Sequence, residues 1–519
     1  MKRLVFALTC GALLSGTLPA DAGELRHMKR SVLEDKIRGG WVGQIVGVTY
    51  GEPTEFQWLG KIVEGEITWD PVNVKNAINQ DDLYVEMTFA EVMDTIGLDA
   101  TAEQYGEMFK DSEYALWHAN AGARRTLQRG IKAPWSGHPR YNLHANDIDF
   151  QIEADFIGLM APGLPRAANE YCDRVGRVMN YGDGLYGGMF VSGMYAAAFF
   201  ENDPRKVVEL GVLSIPADSG YAHVIRDVLE WSAEHPDDWK KTWQLIENKW
   251  NREDPCPSGA LADFNIDARL NGAYIALGLL YGDGDYAKTL EVSTRAGQDS
   301  DCNPSNAAGI LGVILGYEKT PDVWKSGIPA MADNKFAYTD YTLNEIIAST
   351  QTRAEKLIVA AGGSVTADEV AVPFQSPQAP PLEQWDPGPP ILSLAFDDPA
   401  WKWKGSWSVQ TVKNEWSEWQ VKAAGGAGDE AGFSFEGTGV ALVARCLQDG
   451  GRADIFLDDA PVGVADAWIP ERTTDNDLWH ITGLAPSAHT IRLVVRDDKD
   501  DRSTGHEIQI MRAIIYGSR

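Results

Sequence analysis

Apolar residues recur at helical spacing through the first two thirds of the chain, and a short-strand texture replaces that pattern after it. Between about residues 30 and 362 the spacing predicts a mostly helical unit. Leu83, Met87 and Ala90 mark one face of a helix over Asp82–Thr95. Gly188–Phe200 is apolar on nearly every side, as a helix buried in a bundle must be. Ala307–Leu315 carries Gly309 and Gly312, which permit close helix approach, and Leu343–Ala361 stops at Gly362-Gly363. Few segments in this part alternate strictly, so an all-α fold is expected. From Ile391 the runs become short and β-prone: Gly439–Ala444, Ala453–Leu457 and the alternating Thr490–Val495, divided by Gly- and Asp-rich turns. Between the two textures Pro373, Pro377, Pro380, Pro381, Pro387, Pro389 and Pro390 crowd one stretch, which reads as an extended, semi-rigid linker. The expected organisation is a leader over 1–22, a helical domain over 23–372, a linker over 373–390 and an all-β sandwich over 391–519.

The leader is read from three features. Lys2 and Arg3 supply a charged start, Leu4–Leu18 an apolar stretch too short for a membrane span, and Ala20-Asp21-Ala22 a cleavage signal. Thr9 precedes Cys10 where a lipoprotein signal wants a small residue, so plain export is expected, to the periplasm or beyond. Export permits disulfides among Cys172, Cys256, Cys302 and Cys446, with Cys172–Cys256 one pairing among several, and their spacing fits no zinc pattern. A formal net charge of −29 argues against nucleic acid and anionic lipid as partners and is compatible with neutral sugars or cations.

Two acidic clusters stand about 220 residues apart: Asn79-Gln80-Asp81-Asp82 and Gly297-Gln298-Asp299-Ser300-Asp301-Cys302-Asn303. Each lies just before an expected helix. Adjacent aspartates repel unless a cation or solvent separates them, and hard divalent ions seek several carboxylate oxygens. Helix N-capping accounts for the same residues in another way.

Three signatures in order resemble the ADP-ribosylglycohydrolase family. The first is Gly43, Gly47, Gly51 and Glu55 at four-residue spacing. The second is Gln80-Asp81-Asp82-Leu83, where the family has Thr-Asp-Asp-Thr. The third is GQDSDCNPSNAAGILGVILG from Gly297 to Gly316, which matches a G-x-D-x-D-T-N motif before a small-residue helix. The resemblance implies a helical catalytic domain. It implies Asp81, Asp82, Asp299 and Asp301, with the Gln80 carbonyl, as metal ligands, and Glu55 with Asp82 as catalytic residues. The implied cofactor is one or two divalent ions, Mg²⁺ first and Mn²⁺ or Ca²⁺ as alternatives. Leu83, Cys302 and Val48 depart from the family pattern, and a thiol is a poor Mg²⁺ ligand.

Asp149, Glu153 and Asp155 lie in an unusually polar stretch where the family has a different segment. They are candidate substrate contacts, with a solvated helix face as the alternative. Asn180, Asp183 and Tyr186, in a Gly-rich loop with Tyr181 and Gly184, are further candidates, with a structural turn as the alternative. Trp401, Trp403, Trp407, Trp416, Trp419, Trp468 and Trp479 are expected to be mostly core, with one or two free to face a sugar. The C-terminal part resembles galactose-binding-like jelly rolls appended to carbohydrate enzymes. His223, His480 and His489 read as structural. The functional expectation is an exported, metal-dependent hydrolase of a glycosidic bond acting on a glycan or small glycoside. An ADP-ribosyl hydrolase and a non-catalytic sugar-binding protein are the alternatives.

Overall fold

The computed structural model describes residues 23–251, 254–413, 418–470 and 476–518. The leader, read from Lys2 to Ala22, and Trp416 lie outside them. A helical unit is followed by two antiparallel sheets that face one another.

The expected helices form at Asp81–Thr95, Asp183–Ala198, Cys302–Leu315 and Leu343–Ala360. The last is opened by a capping box between Thr342 and Glu345 and closed before Gly362, whose φ is +91°. The four-residue glycine spacing finds its reason in a helix pair. Gly39, Gly43, Gly47 and Gly51 lie along one face of the helix Arg30–Gly51. That face rests on the backbone of the Cys302–Leu315 helix and the loop before it. A Cβ on Gly43 would stand 2.2 Å from the Ala308 carbonyl oxygen, one on Gly47 2.2 Å from that of Pro304, and one on Gly51 2.0 Å from that of Ser300. The first sequence signature is therefore docked directly onto the third.

The helical unit also contains a three-stranded sheet that its sequence pattern does not announce. Leu25–Lys29 pairs antiparallel with Glu369–Pro373, which pairs with Ser364–Val365. Pro373 thus ends a strand and Pro390 begins the next, Pro390–Ala395. Between them the proline-rich segment has no regular structure, yet it is strapped onto the helices. The Glu383 N–H donates to Tyr186 Oη at 2.6 Å, Asn169 Nδ2 donates to the Gln378 carbonyl at 3.0 Å, and Arg177 makes a two-pronged ion pair with Glu383 at 3.0 Å.

One C-terminal sheet runs in the order Ala460–Asp466, Arg452–Leu457, Ser487–Val495, Glu430–Gly437, Lys402–Lys404. The other runs Asn476–Ile481, Gly439–Arg445, Ile508–Tyr516, Glu418–Ala424, Ser408–Lys413, with Pro390–Ala395 also on Ile508–Tyr516. Phe433, Ile455 and Leu493 from the first sheet meet Leu442, Ile510 and Ile515 from the second. Gly439–Arg445 is buried on both faces, which explains its unbroken apolar run. Its outer residues Ala441 and Val443, with Ile514 and Tyr516, pack on Leu143 of the helical unit and on Trp385 of the strap. The buried pair Arg125–Asp477 and the Arg129 bond to the Asp466 carbonyl join the two parts. Trp401 and Trp468 are buried, Trp403 stacks on Trp401 and Trp407 lies tilted against Trp403, each pair with 4.8 Å between centroids, and Trp479 is half-buried. No described helix is long and apolar enough to cross a membrane.

Candidate metal centre

The glycine seam delivers Glu55. Gly51 ends its helix against Ser300 and Asp301, one short 3₁₀ turn follows (Glu52–Thr54), and Glu55 comes next. The Thr54 hydroxyl meets that of Ser300 at 2.7 Å, fixing this corner to the third signature. One carboxylate oxygen each of Glu55, Asp299 and Asp301 then lies within 4.8 Å of the others. Asp301 also belongs to a second group of the same tightness with Asp82 and Cys302. Two adjoining positions that share Asp301 are thus assembled from the three signatures.

Local geometry explains why each residue is held there. Asp81 and Asp82 occupy the first turn of Asp81–Thr95, whose N-cap, Gln80, makes no side-chain bond to it. Asp301 does cap its helix, accepting the Cys302 N–H at 2.9 Å, so the capping account holds for one of the four aspartates and still leaves it at the centre. Leu83 faces the core, which accounts for its lack of a ligating atom, and Val48 is likewise buried. The Cys302 thiol donates to Asp82 Oδ2 at 3.3 Å.

The centre is strongly anionic in its ionised form. Burial, reinforced by Asp301 and then Asp81, pushes Glu55 up to about 8. Burial and Asp301 push Asp81 up to about 6 and lift Asp82 and Asp299 well above the carboxylate range. The charges acting on these four groups are themselves carboxylates. Asp82 Oδ1 and Asp299 Oδ1 are buried without any hydrogen-bond partner in the protein, as are Glu153 Oε2 and Glu86 Oε1. Buried acceptors are ordinarily satisfied, so oxygens left bare beside one another fit a divalent cation surrounded by oxygen ligands.

The other expected contacts divide. Asp155 lies close enough to raise Asp82, and accepts from Tyr195 Oη at 2.5 Å and Asn306 Nδ2 at 2.7 Å; burial takes it to about 7. Glu153 accepts from Asn120 and is pushed up by burial, Asp149, Asp81 and Asp82. Asp149 accepts the Ala119 and Asn120 N–H groups at 3.0 Å each, capping the helix His118–Gln128 beside the centre. Asn180, Asp183 and Tyr186 are engaged by backbone groups. Asn180 bonds the Phe150 N–H and the Ala145 and Asp147 carbonyls, Asp183 accepts from the Tyr221 N–H, and Tyr186 holds the strap. Glu86 is the residue that sequence reasoning passed over. It lies one turn after Asp82, and its i, i+4 spacing was the available signal.

All four described cysteines are free and buried, which corrects the Cys172–Cys256 pairing. Cys172 instead faces Ser192 Oγ at 3.3 Å.

Comparison with curated proteins finds no match. Among solved structures, an ADP-ribosylglycohydrolase-related protein complex is similar at 14% identity, with 62% of this chain, 98% of that chain and a TM-score of 0.42. The carbohydrate-binding module CBM36 in complex with calcium and xylotriose is 13% identical over 24% of this chain and 98% of that one, with a TM-score of 0.18. A two-domain esterase active on acetylated mannans is 12% identical over 33% of this chain and 46% of that one, with a TM-score of 0.21. The family model of ADP-ribosylglycohydrolase matches residues 29–355, which span all three signatures and the centre they build, and the chain belongs to that family.

Proposed function

We propose that this chain is an exported hydrolase that holds a divalent ion, Mg²⁺ by the hardness of its donors, and cleaves a glycosidic bond in a glycan or small glycoside. The observation that carries the reading is the buried carboxylate centre with bare oxygens, at the end of the glycine seam, in a glycohydrolase family. Asp81, Asp82, Asp299 and Asp301 would hold the ion, with the Gln80 carbonyl as a further donor. When bound, the ion supplies Lewis acidity and a more acidic water. Glu55 would serve proton transfer at the leaving-group oxygen or the return step from water. Asp82, grouped with Asp301 and Cys302, would act with Glu55 in catalysis as well as hold the ion. Asp149, Glu153 and Asp155 would be the residues that meet sugar hydroxyls, a reading supported by their electrostatic interaction with Asp81 and Asp82. Asn180, Asp183 and Tyr186 would be further substrate contacts, with Tyr186 also holding the strap. The charge of −29 supports a neutral sugar, and residues 2–22 support export.

A second reading, removal of ADP-ribose from a conjugate, is favoured by the family match itself. A panel of glycosides, polysaccharides and ADP-ribosyl-arginine and ADP-ribosyl-serine peptides separates the two. Sugar release that needs Mg²⁺ and is lost in Asp299→Ala supports the first, and ADP-ribose release the second. Release indifferent to chelator and to the substitution would end the metal reading. No release, with sugars still bound, would leave a non-catalytic binding protein.

A further inference from the structure

A second cluster of ligating side chains lies beyond the acidic centre and differs from it in chemistry. His118 opens the helix His118–Gln128 with a φ of +43°, in the left-handed region that a histidine seldom adopts. His144 and Asp147 come from the segment before Asp149, and Cys256 from the Pro255-Cys256-Pro257 turn. One ligand atom from each of the four lies within 4.8 Å of the others. His144 Nδ1 is 2.7 Å from Asp147 Oδ2, and His118 Nδ1 is 3.9 Å from the same oxygen. His118 Nδ1 is shielded from solvent and has no hydrogen-bond partner. Asp254, Asp149 and Asp267 also surround Asp147, Asp267 being paired with Arg269.

Two imidazoles, a thiol and a carboxylate are the donor set of a four-coordinate zinc site. Hard ions such as Mg²⁺ and Ca²⁺ prefer oxygen alone. The scaffold is also rigid. The sandwich grips the cysteine turn from outside, Tyr516 Oη donating to the Pro255 carbonyl at 2.7 Å and Arg512 to that of Pro257 at 2.8 Å. Arg125, on the helix that His118 opens, is held by Asp477 of the sandwich.

We propose that His118, His144, Asp147 and Cys256 bind one Zn²⁺ in a closed structural site that ties the helical unit to the turn clasped by the sandwich. Binding exchanges the Cys256 proton for the metal and releases it to solvent. The site shares no ligand with the acidic centre and does not rest on the reading given to it. It would set the position of Asp149, two residues from Asp147, and through it the wall of the candidate active site.

The test uses the full chain. After purification and extensive dialysis, metal analysis is expected to find about one zinc per chain. Chelator-treated protein given Co²⁺ is expected to show tetrahedral visible bands and a thiolate charge-transfer band at one equivalent. Cys256→Ser removes the charge-transfer band. His118→Ala, at a ring partly open to solvent, weakens Co²⁺ binding by roughly tenfold or more. Asp299→Ala and Cys302→Ser leave both signals in place. Folded protein with no retained zinc and no charge-transfer band would overturn the proposal, as would a band lost in Cys302→Ser and kept in Cys256→Ser. If Cys256→Ser does not fold, the His118→Ala and Cys302→Ser comparison decides.

Discussion

Asp477 of the sandwich and Asp299 of the helical unit are both nearly inaccessible to solvent, at 3% exposure each, and their environments are opposite. Asp477 meets Arg125 and His480, and Arg125 holds it well below the usual carboxylate range despite burial. Asp299 meets Asp301, Glu55 and Asp82, and is pushed the other way. A buried carboxylate with its counter-ion in place is a structural joint. One whose neighbours are further carboxylates is destabilised in its ionised form and gains from a proton or a cation. The charge of Asp477 is neutralised across the joint by Arg125 of the helical unit, whereas the charges that act on Asp299 are further carboxylates. That difference marks Asp477 as a joint between the two parts and sets the acidic centre apart from it in chemistry.

The largest effect is expected from removing the shared carboxylate. Asp301→Ala should lower hydrolysis by about 100-fold or more and abolish the rise in melting temperature on adding Mg²⁺, because Asp301 serves both positions. Activity and melting curves, each with and without Mg²⁺, read this directly. Unchanged Mg²⁺-dependent stabilisation would place the ion elsewhere. Next in size is the seam that assembles the centre. Gly47→Val places atoms against the Pro304 carbonyl, where even a Cβ would stand at 2.2 Å, and should cost about 3 kcal/mol or more in denaturant unfolding. A near-neutral result would mean that the two helices separate at little cost.

The joint at Asp477 gives a smaller and reversible effect. Arg125→Met leaves a buried carboxylate without its partner, and about 3 kcal/mol should be lost. Adding Asp477→Leu removes the orphaned charge and should recover most of it, as a double-mutant cycle would show. If the double variant is no better than the single, the pair contributes more than mutual neutralisation.

Much of this contrast was legible in the sequence, though unevenly. The helices at Asp81–Thr95 and Leu343–Ala360 follow from local spacing and caps, and the sandwich from short strands between turns. The acidic centre was legible because its residues come as local motifs, with Asp81-Asp82 adjacent and Asp299 and Asp301 two apart. The cluster of His118, His144, Asp147 and Cys256 was not, because its members come from three separate segments that only tertiary packing unites. The strand Leu25–Lys29 escaped for a related reason: its partner, Glu369–Pro373, lies at the other end of the helical unit. For Asn180, Asp183 and Tyr186 the glycine-rich loop points to a turn or a ligand contact alike, and the backbone bonds these side chains make come from segments distant in sequence.

Lys36 tests the contrast with the opposite sign of charge. Its ammonium is buried without a carboxylate partner, but it donates to the carbonyls of Ala198 at 3.1 Å, Val313 at 2.6 Å and Ile314 at 3.2 Å, at the ends of two helices. Carbonyls at a helix C-terminus carry partial negative charge and offset only part of the burial. Desolvation first, then Lys319, lower its pKa from 10.5 to about 8, against a small opposing effect of Asp35. Between those values the unfolded chain binds the proton that the folded chain has released, so stability from this group rises with pH across the window. It is least favourable below the folded value. The gain from pH 8 to pH 9 should be about 1 kcal/mol. Lys36→Met should remove that slope while leaving the Mg²⁺ response of the acidic centre unchanged. An unchanged slope in Lys36→Met would mean that the two helix ends hold the ammonium as firmly as Arg125 holds Asp477, and that dipoles alone can complete a buried charge in this fold.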